Sequence, residues 1–235
     1  MFLSEIFDQL TYGELAQVSI GGNGIGVIDP EDYRAIVSHI NIGLTDLHTR
    51  LPLKQDSVII QQYDYIQTYY LQYKFAQSNN ASTESVKYIM DSALKPFRDN
   101  VLKVEQVFSE IGEEYVLNDG NQAFSVYTPQ HDAVVIPFTD QNNILSVIFR
   151  ANHERIVIGD GFNPGTTAIS IPQYLVEPLI TYVAARILTG MGSNYVNEAA
   201  LLMSKYQLLV RQAETYGLVN SDTLSNEKLE NNGWV

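Results

Sequence analysis

The chain has 235 residues, of which 45% are apolar and 17% charged, enough to bury a sizeable core in one or two domains beneath a charge-poor surface. A formal net charge of −13 removes any general affinity for phosphate backbones or anionic membranes. There is no cysteine, which excludes disulfides, thiolate ligands and a thiol nucleophile, and the four histidines (His39, His48, His131, His153) lack the close spacing of a zinc pair.

Residues 2–18 read as a short amphipathic helix broken near Gly13, followed by a flexible loop, Gly21-Gly22-Asn23-Gly24-Ile25-Gly26. A strong helix start comes next, with Asp29 as N-cap, Pro30 at the first helical position, and Glu31 and Asp32 in the first turn. Ile36, Ile40, Leu44, Leu47 and Leu51 then recur every three or four residues, and the helix runs to about Arg50 before Pro52 stops it. The period changes to two at residues 57–63, which read as a strand.

Residues 64–98 hold a tyrosine-rich patch (with Tyr63, the residues Tyr65, Tyr69, Tyr70 and Tyr73), a polar loop at 78–82 and a short helix at 83–92. From 100 to 160 short strands alternate with turn signals: 102–108, 124–128, 133–138, 144–150 and 155–159, with Asn118-Asp119-Gly120-Asn121 as a hairpin turn. Helical character returns at Pro172, with Leu175, Val176, Leu179, Ile180, Val183 and Ile187 on one helix that Gly190 and Gly192 end. A second helix from about Asn194 carries Val196, Ala199, Met203, Tyr206, Val210 and Ala213 and ends at Gly217. A linker this short favours antiparallel packing of the pair.

The fold class expected is therefore α+β: an antiparallel helical bundle built from the N- and C-terminal helices, with an inserted antiparallel β lobe and an extended C-terminal tail. The boundaries expected are 1–54 with 166–216 for the bundle, 55–165 for the β-rich inserted domain and 217–235 for the tail. That tail holds the only tryptophan, Trp234, in a polar run with Leu218, Leu224, Leu229 and Val235. Sparse apolar anchors in a polar segment suit docking on another chain, Trp being a frequent hot spot; the ordinary alternative is a frayed terminus. The fifteen tyrosines suit interfaces as well as strands, so Tyr65, Tyr69, Tyr70 and Tyr73 are candidates for a subunit or tail interface or for one face of a sheet.

No catalytic motif emerges. The glycine run at 21–26 lacks dinucleotide spacing and is not followed by the Lys-Ser/Thr of a P-loop. His153-Glu154-Arg155 has no second histidine four residues on, and no glycine stands two residues after Ser193 to make a nucleophile elbow. Asp119 and Asp160 sit in glycine turns without the alternating carboxylates of a calcium loop. Glu113-Glu114, adjacent on an extended segment, point to opposite faces rather than flanking one bond. No cofactor, metal or catalytic residue is assigned. No apolar run reaches the ~20 residues of a membrane span, and the acidic opening residues 1–8 are unlike a secretory signal, so a cytosolic protein without a membrane partner is expected.

The order of elements resembles the head-to-tail adaptor proteins of short-tailed bacteriophages, the tail tubular protein A class. The resemblance is carried by Leu10-Thr11-Tyr12-Gly13-Glu14-Leu15 before a glycine-rich loop, by the helix from Asp29-Pro30-Glu31-Asp32-Tyr33 through His39-Ile40-Asn41-Ile42-Gly43-Leu44 to Arg50, and by Ile171-Pro172-Gln173-Tyr174-Leu175-Val176-Glu177-Pro178 entering the closing helix pair. It covers most of the chain as a pattern of elements.

The resemblance implies a non-enzymatic virion protein of the neck, assembled in the host cytoplasm as a ring, typically twelve-fold, beneath the portal protein. The helical part and the tail (Leu218, Leu224, Leu229, Trp234, Val235) would bind the portal, and the β lobe would meet the tail nozzle or a tail tubular protein below. DNA would pass through the ring without specific binding. Two other classes compete: a phage tail component hydrolysing glycan, with Tyr69, Tyr70 and Tyr73 stacking on sugars, and an unrelated cytosolic protein-binding module. Both differ from an adaptor in a simple observable, glycan turnover for the first and a ring-free monomer or dimer for the second.

Overall fold

A computed structural model describes residues 1–16, 18, 28–138 and 143–218. The fold is mixed α+β, with four helices and two antiparallel sheets among these residues. The chain divides into two compact units: Met1–Pro52 with His153–Val235, and Leu53–Asn152 between them in sequence.

The first unit is helical. Helix α1 (Leu3–Tyr12) buries Leu3, Ile6, Phe7 and Leu10, the i, i+3, i+4, i+7 pattern of a single helical stripe. Its start is tied by the Glu5 carboxylate accepting from the Phe2 amide at 3.3 Å, and by the Leu3 amide donating to the Thr167 carbonyl at 2.9 Å. Helix α2 (Tyr33–Arg50) buries Ile36, Val37, Ile40, Leu44 and Leu47. Helices α3 (Val176–Gly190) and α4 (Val196–Thr215) are joined through a short 3₁₀ turn, Ser193–Tyr195. Gly192 redirects the chain there with φ of 108°, a conformation that side chains disfavour.

Helix α3 is the centre of this unit. It is buried on nearly all sides, through Leu179, Val183, Ala184, Ala185 and Leu188, and it packs against α1, α2 and α4. Gly43 of α2 allows the closest approach. A Cβ at that position would lie 2.9 Å from Leu179 Cδ1 and from Tyr182 Cδ1. A polar cluster ties α2 to α4: the buried Tyr206 hydroxyl donates to Asp46, and Arg50 Nε reaches the same carboxylate at 2.8 Å. Lys205 bridges Glu14 at 2.9 Å and Glu177 at 3.1 Å, joining α4 to the segment after α1 and to α3.

The second unit is a β structure. Strands β1 (Gln55–Gln61), β2 (Thr68–Tyr70), β3 (Ile89–Met90), β4 (Val101–Phe108), β5 (Tyr127–Gln130), β6 (Ala133–Val135) and β7 (Ile144–Ala151) form one sheet of order β3-β1-β7-β4 and another of order β2-β6-β5. β1 and β7 pair along their lengths, with Val58 opposite Val147 and Ile60 opposite Leu145, so both strands place alternate residues in one core. In β4 the buried valines Val101, Val104 and Val107 fall every third residue. Two register shifts against β7, after Val101 and after Val104, reset the alternation each time. Tyr69, Tyr88, Val134, Phe149 and Ile136 complete the core, with the Tyr69 and Tyr88 rings edge to face at 5.0 Å.

Several sequence expectations are corrected. The first helix ends at Tyr12, at the break expected near Gly13, and residues 13–16 form a turn instead of carrying it on towards 18. Helix α2 begins at Tyr33, because Asp29 and Pro30 form a turn in which the Asp32 amide donates to the Asp29 carbonyl at 2.9 Å. No helix forms at 83–92; the segment contributes β3 to the edge of the larger sheet, where tertiary pairing overrides local propensity.

The segment 155–159 is not a strand. Its backbone is held by one side chain: the Asn41 amide donates to the Ile156 carbonyl at 2.9 Å, and the Ile156 amide donates back to Asn41 Oδ1 at 2.9 Å. Residues 153–165 accordingly group with the helical unit. Near Asn118 the turn is not a two-residue hairpin, and the predicted strand 124–128 is displaced to β5 at Tyr127–Gln130. Asn118 adopts φ of 57°, Asp119 Oδ1 accepts from the Asn121 amide at 2.9 Å, and the Asp119 amide reaches Ser125 Oγ at 2.9 Å, closing a longer loop.

Candidate functional site

The tyrosines singled out in the sequence separate into core and surface. Tyr69 is 0% exposed in the β core; its hydroxyl accepts from the Tyr63 amide at 2.8 Å and donates to the Tyr63 carbonyl at 3.3 Å. Its side chain therefore fixes the 63–69 turn and offers nothing to a partner. Tyr65 is 68% exposed, its ring 5.7 Å from that of Tyr63. Tyr70 is exposed, and its backbone N–H and C=O both bond the Tyr88 hydroxyl, at 2.8 and 3.0 Å. Tyr73 opens a 3₁₀ turn (Tyr73–Phe75) and is half-buried, its amide held by Asp99.

Of the tail anchors, Leu218 is exposed, with its carbonyl accepting from the Tyr174 hydroxyl at 3.1 Å. Leu224, Leu229, Trp234 and Val235 lie outside the described residues, as does the glycine run at 21–26.

The acidic pair Glu113 and Glu114 is exposed, and Glu114 accepts from Gln106 Nε2 at 3.0 Å. His153 is held on both ring nitrogens: Nε2 lies 3.0 Å from the Asn41 carbonyl and 3.2 Å from Thr45 Oγ1, and Nδ1 lies 2.9 Å from the Glu154 carbonyl. His48, buried, stacks obliquely at 5.9 Å from it. Among the described residues no three His, Asp or Glu side chains are grouped to hold a metal ion, and no helix is long and apolar enough to cross a membrane.

A cleft of about 560 Å³ lies within the β unit, between β1 and the 92–98 loop. Its apolar lining is Ile59, Met90 and Leu94, with Val58 and Phe149 behind; its cations are Lys54, Lys95 and Arg98. Leu94 is 99% exposed, an unusual place for a leucine in a turn otherwise closed by hydrogen bonds between Ser92 and Lys95. Lys95 Nζ meets Asp56 at 2.9 Å. Burial works against the Asp56 carboxylate, but the Lys95 ammonium and the Ser57 amide outweigh it and hold the carboxyl below its usual range.

The loop itself is pinned by Asp91. That carboxylate accepts from the Ser78 amide and the Phe97 amide, each at 2.8 Å, and from the Ser78 hydroxyl. Burial again opposes the charge, and these donors prevail, so the Asp91 carboxyl is also lowered.

Sequence reasoning missed this cleft because its walls come from residues 54–59 and 90–100, which only the β1–β3 pairing brings together. The one local signal was Ser-Ala-Leu-Lys-Pro at 92–96, an apolar residue inside a turn-forming run. No protein family matches the chain, and no curated protein matches it.

Proposed function

We propose that this chain is a virion structural protein: a ring-forming head-to-tail adaptor that joins a portal to the tail nozzle of a short-tailed bacteriophage and lines the DNA channel. The observation that carries the reading is the way the two ends of the sequence share one helical unit while a continuous stretch between them folds as a β unit. That is the element order on which the resemblance to portal-bound adaptors rests. In this reading α1 to α4 form an antiparallel bundle whose portal-facing side continues into the C-terminal tail, with Leu218, Leu224, Leu229, Trp234 and Val235 as its anchors. The β unit faces the nozzle.

Three properties support the reading. Tyr65 and Tyr70 place amphipathic aromatic surface on the β unit, the kind of surface that interface cores favour. The low proportion of charged residues suits a chain that shares much of its surface with neighbours. A charge of −13 on every copy makes a ring repel DNA, and at a Debye length of about 8 Å it does so only at close range, so DNA passes without sticking.

The test is co-sedimentation with purified portal rings. The full chain is expected to pellet with the rings, and a chain lacking 218–235 is expected to stay folded by circular dichroism and remain in the supernatant. Pelleting that is the same for both chains removes the docking role of the tail, and no pelleting of either removes the adaptor reading.

A further inference from the structure

The cleft of the β unit runs beside a strand edge that is only half covered. β3 contributes two residues, pairing Ile59 with Met90 and Ile60 with Ile89, whereas β1 pairs with β7 from Gln55 to Gln61. The Gln61 amide points to the β3 side, donating to the Tyr88 carbonyl at 2.8 Å, and the Gln62 amide points the other way, to the Asn143 carbonyl at 3.0 Å. Backbone direction alternates along a strand, so Gln55 and Ser57 present their N–H and C=O groups to the same side as Gln61, into the cleft. No strand meets them among the described residues. The Ser57 amide is instead held by the neighbouring Asp56 carboxylate at 2.9 Å, and Asp56 is in turn held by Lys95. This is an edge kept from free aggregation by a charged pair, and a further strand would take the Ser57 amide over from Asp56.

The chemistry of the walls says what that strand carries. Three cations (Lys54, Lys95, Arg98) against two carboxylates (Asp56, Asp91) leave the lining slightly positive, on a chain whose net charge is −13. Asp91 is already engaged by three donors. Ile59 and Met90, 43% and 37% exposed, form a cross-strand apolar pair beside the fully exposed Leu94. The fitting occupant is an extended segment that is acidic overall and carries widely spaced apolar residues.

This chain has such a segment. Residues 219–235 carry Asp222, Glu227 and Glu230 against Lys228, with Leu224, Leu229 and Trp234 as apolar residues. These 17 residues extend up to about 55 Å, ample to reach a neighbouring molecule. We infer that, when no portal is present, residues 219–235 of one copy lie as an added strand along Gln55–Ser57 of a second copy, with a carboxylate on Lys95 or Lys54 and a leucine or Trp234 against Ile59, Met90 and Leu94. Main-chain hydrogen bonds supply much of the affinity of such an added strand, and the side-chain pockets supply its selectivity. The inference rests on the adaptor reading for the eventual transfer of the tail to a portal; the contact between copies stands on the cleft alone.

Trp234 is the only tryptophan, so its emission reports the tail directly in the full chain. The expected result is a blue shift of that emission as protein concentration rises, with concentration-dependent association in sedimentation velocity. Both are expected to vanish in Leu94→Asp, a substitution at a side chain with no core contact to lose, and to weaken at least ten-fold in Lys95→Glu. A fluorescein-labelled peptide of residues 219–235 is expected to bind the full chain saturably and to lose at least ten-fold in affinity for either variant.

Emission that stays red at every concentration, with no saturable peptide binding, overturns the inference. So does unchanged peptide affinity in both variants. Blue emission at every dilution without association places the tail in its own copy and overturns the contact between copies. Co-sedimentation of Leu94→Asp with portal rings separates these outcomes from failure of the adaptor reading, because that variant keeps its tail.

Discussion

Two glycines in helices of the same unit are expected to respond to the same substitution with opposite sign. Gly43 lies within α2 and Gly190 is the last residue of α3. Replacing a helical glycine with alanine gains about 1 kcal/mol in a helix interior and rather less at an end, through backbone entropy and propensity. At Gly190 nothing lies within 4 Å of the new methyl, so Gly190→Ala keeps that gain. At Gly43 the methyl falls 2.9 Å from Leu179 Cδ1 and 2.9 Å from Tyr182 Cδ1.

Leu179 is fully buried, so it yields only by shifting α3 or leaving its rotamer, an overpacking cost of about 1–3 kcal/mol. Gly43→Ala is therefore expected to be less stable than Gly190→Ala by about 1–3 kcal/mol. In urea unfolding followed by far-ultraviolet circular dichroism, with a slope of about 2 kcal/mol/M, that separates the midpoints by roughly 1 M. In a Leu179→Ala background the penalty at Gly43 is expected to shrink, because one of the two colliding atoms is gone. Equal midpoints for the two alanine variants, or a higher one for Gly43→Ala, would refute the close approach of α2 to α3.

Tyr69→Ala is expected to cost about 3–5 kcal/mol by emptying a buried aromatic site, whereas Tyr65→Ala is expected to stay within about 0.5 kcal/mol; near-ultraviolet circular dichroism during urea unfolding checks both, and a tolerated Tyr69→Ala contradicts the core placement. His39 is held below its ordinary 6.5 first by burial and then by the Arg186 charge, so the unfolded chain binds its proton more readily. Stability from this residue is present above that ordinary value and falls as the pH drops through it, and His39→Gln is expected to flatten the slope between about pH 7 and 5; an unchanged slope counts against the assignment. Asp91→Asn removes the charge that three donors converge on and is expected to cost about 1–3 kcal/mol at neutral pH. Since the Asp91 carboxyl is lowered in the fold, its contribution is present above the ordinary carboxylate range and is lost as pH falls through the lowered value; acid titration of wild type and Asp91→Asn should converge there.

The helical part of the fold was the most legible in the sequence, because its burial pattern is local. Ile36, Ile40, Leu44 and Leu47 repeat at helical spacing, and the structure buries all of them on α2. Tyr206 was readable as a core residue of α4 by the same spacing, but its hydroxyl bond to Asp46 joins residues 160 apart and left no local trace. The β unit was legible where strands alternate cleanly, as in β7. It was illegible where bulges reset the pairing, since β4 buries every third residue; in the helical unit the strand-like segment 155–159 is held by Asn41 instead of by a neighbouring strand. The tyrosine patch stayed open between interface and sheet face for a related reason. Tyr65 and Tyr69 have the same composition signal, and only the long-range packing of Tyr69 against Tyr88 decides which one is surface. The cleft beside β1 depends on how short β3 is, a length set by pairing and not by the local sequence.

Negative-stain imaging of the purified chain, alone and mixed with portal rings, is the most direct test of the proposed ring beneath a portal. Rings, or an added layer of density on one face of the portal, are the expected result. Isolated molecules beside unaltered portal rings in the mixed sample would contradict it.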